Sequence, residues 1–465
     1  MKLTRITRSV LWCLIGGLAA CATPPADTAP EAVIPAHYPG LAPNAAERSD
    51  TDWRSLFTDP HLLALIDSAL THNRDLKLAV ARVAEVRALY DIQQAGSRPG
   101  IDVIASGSRT RTPADLSVTG AATVSGQYRA GANLSAYEID FWGRVRSLNE
   151  AALAQFLASD EARRAFELGL IAQVANIHLL ARELDERIVL ARKALVTREE
   201  SFRIMGRRAE VGSSSNLELR QVESLLINTR GELAALERQR AQNDALLAQL
   251  VGHAPPPGPA PAALAAQGLE APLAPGLPSG LLTRRPDIRA AEQRLAASRA
   301  SVRAARAAFL PNITLTAFGG SASAELEGLF RGGSSSWNFT PVLRMPLFDG
   351  GRTRAGLELA EARQRVAVAD YEATIQTAFR EVADALAARQ WLAVQVREQQ
   401  ALVAAEADRA RLASLRFERG VSNYLDVLDA QRALFAAEQA LVQLRRAHMS
   451  STVNLFKALG GKTPA

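Results

Sequence analysis

The sequence contains two copies of one pattern. Two early segments recur 212 residues later: Asn73-Arg74-Asp75-Leu76 as Arg285-Pro286-Asp287-Ile288, and Arg98-Pro99-Gly100-Ile101 as Leu310-Pro311-Asn312-Ile313. Three later segments recur after 208 residues: Glu210-Val211-Gly212 as Glu418-Arg419-Gly420, Leu217-Glu218 as Leu425-Asp426, and Val251-Gly252 as Leu459-Gly460. The two halves of the chain therefore match at a nearly constant offset, which changes only once, by four residues. This predicts two copies of one structural unit arranged around a common axis.

The start of the chain has the layout of a bacterial export signal. Lys2, Arg5 and Arg8 precede an apolar stretch at residues 10–20, which is too short to span a membrane as a helix. The stretch ends in Leu-Ala-Ala before Cys21, which resembles a lipobox. In such signals the cysteine receives diacylglycerol and a fatty acyl chain. The alternative is an ordinary signal cleaved at small residues, with Cys21 incidental.

Lipidation would define the chemistry of the mature N-terminus. Cys13 lies in the leader, so Cys21 would be the only cysteine left, with no structural disulfide and no thiolate metal site. Ala22, rather than an aspartate, follows the cysteine. In lipoprotein signals this favours sorting to the outer membrane.

The excess of basic residues is small once the leader is removed. The formal net charge of +6 includes three basic residues of the leader, so the mature chain carries about +3. The arginines are spread along predicted helices, which favours a solvated helix surface over nucleic-acid binding. After the leader, no apolar run is long enough for a membrane-spanning helix.

Two segments in each repeat alternate between apolar and polar residues, as strands do. In the first repeat they are residues 101–111 and 127–136, with a turn region at 113–120. In the second they begin at Ile313 and at Trp337, and the latter alternation continues to Leu347. The sequence therefore predicts one strand hairpin per repeat.

Each hairpin precedes a long region without proline, at residues 143–254 and 347–463, rich in strong helix formers. Gly212 and Gly420 interrupt these regions. Each interruption is followed by a helix start, with a capping box at Ser215-x-x-Glu218 and Asn423-x-x-Asp426 at the corresponding place. Each repeat should therefore hold a long helix, a tight turn and a returning helix.

These patterns divide the chain into five parts. They are a lipoprotein signal peptide (1–20), a lipid-anchored Pro-rich tether (21–58), a first repeat (59–254), a Pro/Ala-rich linker (255–280) and a second repeat (281–465).

Four strands leave two open edges in one chain. Membrane barrels have no open edges and start at about eight strands in a single chain. Partner chains would therefore be needed, and a trimer with twelve strands fits the long helices better than a dimer with eight. The alternative is a soluble sheet packed on helices.

Six stretches, in order, resemble outer-membrane efflux proteins of the TolC type, in particular the lipoprotein branch (NodT- and OprM-like). They are residues 53–60, 137–144, 284–288, 309–313, 346–352 and 419–432. The resemblance covers nearly the whole mature chain.

The resemblance implies a fold that is mainly α with a membrane β-barrel. Three chains would share a 12-stranded outer-membrane barrel, four strands per chain, and a long periplasmic α-helical barrel. The homotrimer would be lipid-anchored in the outer membrane and extend into the periplasm. It would form the passive exit duct of a tripartite, RND-type efflux pump that expels small molecules such as drugs. Its partners would be a periplasmic membrane-fusion adaptor, an inner-membrane transporter reached through the adaptor, and outer-membrane lipid.

The resemblance places a periplasmic gate in the second helical hairpin. Leu425, Asp429 and Arg432 are spaced to lie on one helix face. In a trimer the leucines would block the pore, and Asp–Arg pairs would hold neighbouring hairpins together. Asp426 is also a gate candidate, but a capping role explains it well, since Glu218 occupies that place in the first repeat. Asp429 corresponds to Gln221, so no such role accounts for it.

The hairpin turns are candidate contacts for the adaptor. The residues concerned are Arg208, Val211, Gly212, Arg419, Gly420 and Val421. The alternative is a purely geometric role, with each glycine in a left-handed conformation.

No pattern in the sequence indicates an enzyme. The six histidines, His37, His61, His72, His178, His253 and His448, show no metal-ligand spacing, and Gly350-Gly351 lacks the Lys-Ser/Thr of a phosphate loop. The sequence therefore predicts no catalytic residues, no metal site and no cofactor beyond the acyl groups on Cys21.

Other functions are compatible with the same fold. The channel could serve type I protein secretion, or metabolite or metal export. A structural lipoprotein that spans the periplasm is a further alternative. The resemblance implies that the transporter selects the cargo.

Overall fold

The computed structural model describes residues 52–254, 264–269 and 280–461. The predicted leader and the lipidation site at Cys21 lie outside the described residues, as does most of the predicted tether.

The described chain is mainly helical, with four strands, as predicted. The helices are α1 (Trp53–Leu56), α2 (Pro60–His72), α3 (Arg74–Ala95), α4 (Arg144–Glu210), α5 (Asn216–Val251), α6 (Gly280–Arg284), α7 (Pro286–Ala307), α8 (Arg352–Glu418) and α9 (Tyr424–Ala458). The strands are β1 (Ile101–Thr112), β2 (Thr123–Ile139), β3 (Asn312–Ser323) and β4 (Ser335–Arg344). Within the described ranges, no helix is both long enough and apolar enough to cross a membrane.

The chain divides into two compact units. The first contains residues 88–155 and 294–370. The described part of the second contains residues 52–87, the segments that lie between 156 and 293, and residues 371–461.

The first unit holds one antiparallel sheet with the strand order β1-β2-β3-β4. β1 and β4 therefore form its edges within one chain. The register between β2 and β3 shifts between Leu134 and Tyr137, and Ala136 there has a φ of 45°. An extra residue in one strand with a left-handed backbone is a β-bulge, which bends the strand and increases its twist.

The lengths of the strands show where the offset between the two repeats changes by four residues. β1 and β3 each have 12 residues, and α4 and α8 each have 67. The second strands differ, because β2 has 17 residues and β4 has 10. The change therefore falls between the start of each second strand and the start of each long helix. β4 ends at Arg344 rather than at the predicted Leu347, since Pro346 has no N–H for a strand ladder.

An aspartate caps the start of each long helix. Asp140 accepts hydrogen bonds from the backbone N–H groups of Val145 (3.1 Å) and Arg146 (2.8 Å). Asp349 accepts them from Gly351 (3.0 Å) and Thr353 (2.8 Å). A carboxylate at this position binds otherwise unpaired N–H groups and interacts favourably with the helix dipole.

In the second unit, the end of each returning helix is tied to the start of a distant helix. Asn73 donates from Nδ2 to the carbonyl of Leu250 at 2.9 Å, near the end of α5. Arg285 donates from Nη1 to the carbonyl of Ala458 at 2.9 Å, at the end of α9. We call these two contacts the clasps. Each satisfies a carbonyl that has no partner within its own helix.

The two clasps differ in charge. Asn73 is neutral, and its Oδ1 accepts a hydrogen bond from the Leu76 N–H at 2.8 Å, which caps α3. Arg285 also forms ion pairs with Asp287 (2.6 Å) and Glu381 (2.7 Å), and its side chain is 7% exposed. The clasp of the second repeat is therefore a buried ionic network, whereas that of the first is a single polar contact.

Residues 52–58 are packed, so the tether predicted for 21–58 does not extend to residue 58. Trp53, Leu56 and Phe57 are almost completely buried. Asp59 then caps α2 and accepts a hydrogen bond from Nε2 of His178 at 2.9 Å. That bond is the main reason why the pKa of Asp59 falls to about 2. The apolar side chains bury this segment because their removal from water is favourable.

Glycine at the end of α5 is required by the first clasp. Gly252 has a φ of 85°, and a Cβ there would lie 2.7 Å from the carbonyl oxygen of His72. We expect Gly252→Ala to destabilise the protein by about 1–3 kcal/mol, because alanine adds both strain and a clash. Thermal or denaturant unfolding of the detergent-solubilised protein measures this.

Gly231→Ala is the matched control, since Gly231 lies within α5 with open space around it. It should stabilise the protein by roughly 0.5–1 kcal/mol, through the higher helix propensity of alanine. Equal effects of the two substitutions would contradict the role of the clasp.

Candidate functional site

The two helical hairpins turn in the same way. Gly212 and Gly420 have φ values of 72° and 70°, which confirms the predicted left-handed conformation. The N–H of Ser213 donates to the carbonyl of Arg208 at 2.8 Å, and that of Val421 donates to Arg416 at 2.9 Å. Such bonds satisfy the last carbonyls of a helix before a sharp turn.

The returning helices begin with the predicted caps. Ser215 and Glu218 exchange side-chain and backbone hydrogen bonds, which completes the capping box. Hydrogen bonds from Ser214 and Ser215 hold the pKa of Glu218 below its usual value. In the second hairpin, Asn423 accepts a hydrogen bond from the N–H of Asp426 at 3.2 Å. Asp426 therefore lies in the capped first turn, where a carboxylate is favourable.

Tyr424 joins the ends of the two hairpins. It packs against Ala410, Ala413, Val427 and Ala430, and also against the cluster of Met205, Val222 and Leu428. Its ring lies 4.8 Å from that of Phe417. Burial raises the pKa of its hydroxyl, although a hydrogen bond with Ser201 opposes this. One aromatic side chain thus contributes to the cores of both hairpins.

Arg208, a predicted adaptor contact, also lies between the hairpins. Its guanidinium is 5.0 Å from the centre of the Phe417 ring, a cation–π arrangement. Val211 and Val421, by contrast, are 78% and 65% exposed. The turn valines are therefore available to a partner, while Arg208 already has a contact within the chain.

Asp429 lies at the centre of a charged group near the turn of the second hairpin. Its carboxylate accepts hydrogen bonds from Arg409 of α8 at 2.5 Å and from Arg432 of α9 at 2.8 Å. We call these three residues the tip triad. The hydrogen bond from Arg409 is the main cause that holds the pKa of Asp429 below its usual value. Asp429 thus pairs within its own hairpin in this single chain.

The proposed gate residues line one groove. A space of about 410 Å³ is bounded by four residues of α9 and five of α5: Leu425, Leu428, Asp429 and Arg432, and Arg220, Gln221, Ser224, Leu225 and Asn228. Leu425 is 48% exposed, so its side chain lacks the packing of its neighbours Val427 and Leu428. The structure therefore brings Leu425, Asp429 and Arg432 to one face, as their spacing predicts.

The first hairpin cannot form the tip triad. The positions that correspond to Arg409, Asp429 and Arg432 hold Ser201, Gln221 and Ser224. Neutral side chains cannot form an ion pair, so this contact belongs to the second hairpin.

The first hairpin instead has ion pairs farther from its turn. They join α4 to α5 as Asp185–Arg240 (2.7 Å), Arg192–Glu237 (2.9 Å) and Glu199–Arg230 (2.9 Å). The corresponding pairs of the second hairpin are Ala393 and His448, Gln400 and Arg445, and Ala407 and Glu438. None of these combines a carboxylate with a cation. The two hairpins thus share one backbone arrangement, but the ion pairs between their helices lie at different distances from the turn.

The sequence alone did not predict three interacting side chains, those of Arg409, Phe417 and Tyr424. Arg409 and Asp429 lie at similar distances on either side of Gly420. Pairing residues about the predicted turn would have identified this contact. No comparable spacing marks Tyr424, because its contacts with Met205 and Val222 come from the other hairpin.

The family model described as "Outer membrane efflux protein" matches residues 65–253 and 277–461. The chain belongs to this family. The two matched segments cover the two copies of the internal repeat. The family resemblance seen in the sequence is confirmed.

Similar proteins support the same assignment. Outer membrane protein OprJ of Pseudomonas aeruginosa is 43% identical over 451 residues, which cover 96% of this chain and 93% of that protein. The toluene efflux pump outer membrane protein TtgI of Pseudomonas putida is 44% identical over 411 residues, 88% of this chain and 87% of that protein. The crystal structure of the open state of the MtrE outer membrane channel of Neisseria gonorrhoeae has a TM-score of 0.85 and 35% identity. It covers 95% of this chain and 98% of that one.

The protein is therefore an outer-membrane efflux channel and not an enzyme, as predicted. It is a component of an efflux pump.

Proposed function

We propose that this channel is the passive exit duct of a tripartite efflux pump that expels small molecules, including drugs and apolar solvents. The observation that carries the proposal is the combination of family membership with 44% identity to a toluene efflux pump protein. The inner-membrane transporter would supply the energy and select the cargo. A periplasmic membrane-fusion adaptor would join the transporter to the hairpin turns.

Three chains would form the complete duct. The sheet has two unpaired edges in one chain, at β1 and β4. It also exposes apolar side chains, among them Val103 (88%) and Trp337 (79%). Lipid cannot satisfy the backbone groups of an open edge, so the edges must pair between chains. Three four-stranded sheets would give one 12-stranded barrel in the outer membrane.

The adaptor would contact the hairpin turns. Val211 and Val421 support this role, since both are exposed beside Gly212 and Gly420. Arg208 and Arg419 would complete the contact surface. Exposed apolar residues at the turns of both hairpins fit a partner that buries them.

The second hairpin would form the gate. Leu425 would narrow the pore sterically. Asp429 would hold α9 to α8 in the closed arrangement through Arg409, and Arg432 would pair with Asp429 within α9. The capped position of Asp426 favours a structural role for that residue. Opening would be a rigid-body shift of packed helices.

Lipidation at Cys21 would anchor the mature chain to the outer membrane. Acyl chains add membrane affinity through the burial of their methylene groups. Mass spectrometry of the membrane-extracted protein should show an acylated N-terminus, which Cys21→Ser abolishes. An unmodified N-terminus at a different residue would contradict the anchor.

Removal of the Asp429 carboxylate should open the channel. Asp429→Asn keeps the size of the side chain but releases Arg409 and Arg432, so the conductance of the purified channel in planar bilayers should rise several-fold. Asp408→Asn is the matched control. Asp408 is exposed on α8 and pairs with Arg411 of the same helix. Unchanged conductance in Asp429→Asn would contradict the gate assignment while leaving the exit-duct function intact.

Acid should have the same effect on the wild-type channel. Because the pKa of Asp429 is lowered, its ion pairs are intact above the ordinary aspartate pKa of about 3.9 and are lost as pH falls through the lowered value. Conductance should therefore increase below about pH 4 in the wild type. In Asp429→Asn this component of the pH dependence should be absent.

A further inference from the structure

Two histidines that are distant in sequence meet beside the first clasp. His72 ends α2 and immediately precedes Asn73, and His253 immediately follows Gly252. Their ring centres are 5.3 Å apart, with an angle of 77° between the planes. Both side chains are exposed. No local spacing could have revealed this pair, because it depends on how the clasp joins α2 to the end of α5.

The hydrogen bonds of the two rings define which nitrogens are free. Nδ1 of His72 lies 3.1 Å from the carbonyl oxygen of Ser68, and Nδ1 of His253 lies 2.9 Å from that of Ala254. A carbonyl oxygen only accepts, so each Nδ1 carries the proton. Each Nε2 therefore presents a lone pair. Histidines that bind metals are commonly oriented by this same Nδ1–H to carbonyl contact.

We propose that His72 and His253 bind a divalent transition metal, of the imidazole-preferring class that includes Zn²⁺, Ni²⁺ and Cu²⁺. With metal–nitrogen distances of about 2.0–2.1 Å and a tetrahedral angle, two imidazole centres lie about 5 Å apart. The observed separation of 5.3 Å fits this requirement. The hydroxyl of Ser68 lies 2.8 Å from Nε2 of His253 and 3.4 Å from Nδ1 of His72. Metal binding would displace this hydroxyl from Nε2 of His253.

Water would complete the coordination. Among the described residues, no group of three His, Cys, Asp or Glu side chains is placed to hold a metal. The site therefore has two protein ligands and remains open to solvent. The ion would link the last turn of α2 to the residue that follows α5, across the neutral clasp.

The second repeat has no equivalent of this pair. The corresponding positions hold Arg284 and Gly461. There the clasp already has the ion pairs of Arg285 with Asp287 and Glu381. The metal would thus reinforce the clasp that has no charged network.

Metal binding to the full-length, untagged protein in detergent tests the proposal. Zn²⁺ titration by calorimetry should show one ion per chain, and Zn²⁺ should raise the unfolding temperature relative to EDTA. His72→Gln and His253→Gln should each weaken binding by about tenfold or more. His448→Gln, a histidine of α9 away from this pair, should bind as the wild type does.

Pulsed electron paramagnetic resonance with Cu²⁺ distinguishes this site from binding elsewhere. The spectrum should show two imidazole ligands in the wild type and one in each of the two variants. A wild-type spectrum with fewer than two imidazoles would overturn the proposal, as would wild-type affinity in both His72→Gln and His253→Gln. Circular dichroism confirms that the variants are folded.

Discussion

The clasps are the contacts on which the arrangement of the hairpins depends. Each returning helix ends in carbonyl groups that have no partner within the helix, and each clasp supplies a donor from the segment that starts the next helix. An unsatisfied buried carbonyl would cost about 1–3 kcal/mol, so the donor and the acceptor constrain each other. The clasps lie at the ends of α5 and α9. The turns at Gly212 and Gly420 lie at the opposite ends of these two helices.

The repeat gives the two hairpins one design, and a few substitutions give them different properties. Three ion pairs fasten α4 to α5, and their counterparts in the second hairpin lack one partner or both. The second hairpin has the tip triad in return, at positions where the first has serine and glutamine. The ion pairs of the first hairpin are distributed along α4 and α5, whereas the pair of Arg409 with Asp429 joins α8 to α9 near the turn. This difference supports the proposal that the second hairpin forms the gate.

The four strands, the long helices and their caps could be predicted from the sequence, because each depends on residues close in sequence, and the repeat could be seen by comparing the two halves of the chain. The starts of β1 and β3, for example, and the capping box of Ser215 and Glu218 were predicted from patterns of only a few residues. The position of Tyr424 between two hairpins, and the contact of His72 with His253, depend on residues that are far apart in the sequence. The pairing of Asp429 was only partly predictable. Its spacing from Leu425 and Arg432 was evident, whereas Arg409 is contributed by the opposite helix of the hairpin. The Pro-rich composition of the preceding segment predicted an extended tether up to residue 58, whereas Trp53 is buried.

In the proposed trimer, the distance between equivalent hairpin turns of neighbouring chains tests the central claim most directly. The only cysteines of the sequence are Cys13 and Cys21, and both can be replaced by serine. Spin labels can then be placed at Val421→Cys or at Val211→Cys, and the distances between them measured by double electron–electron resonance. We predict that Asp429→Asn lengthens the distances between labels at position 421 and leaves those at position 211 unchanged. Longer distances at position 211 with no change at position 421 would contradict the account, and so would no change at either position.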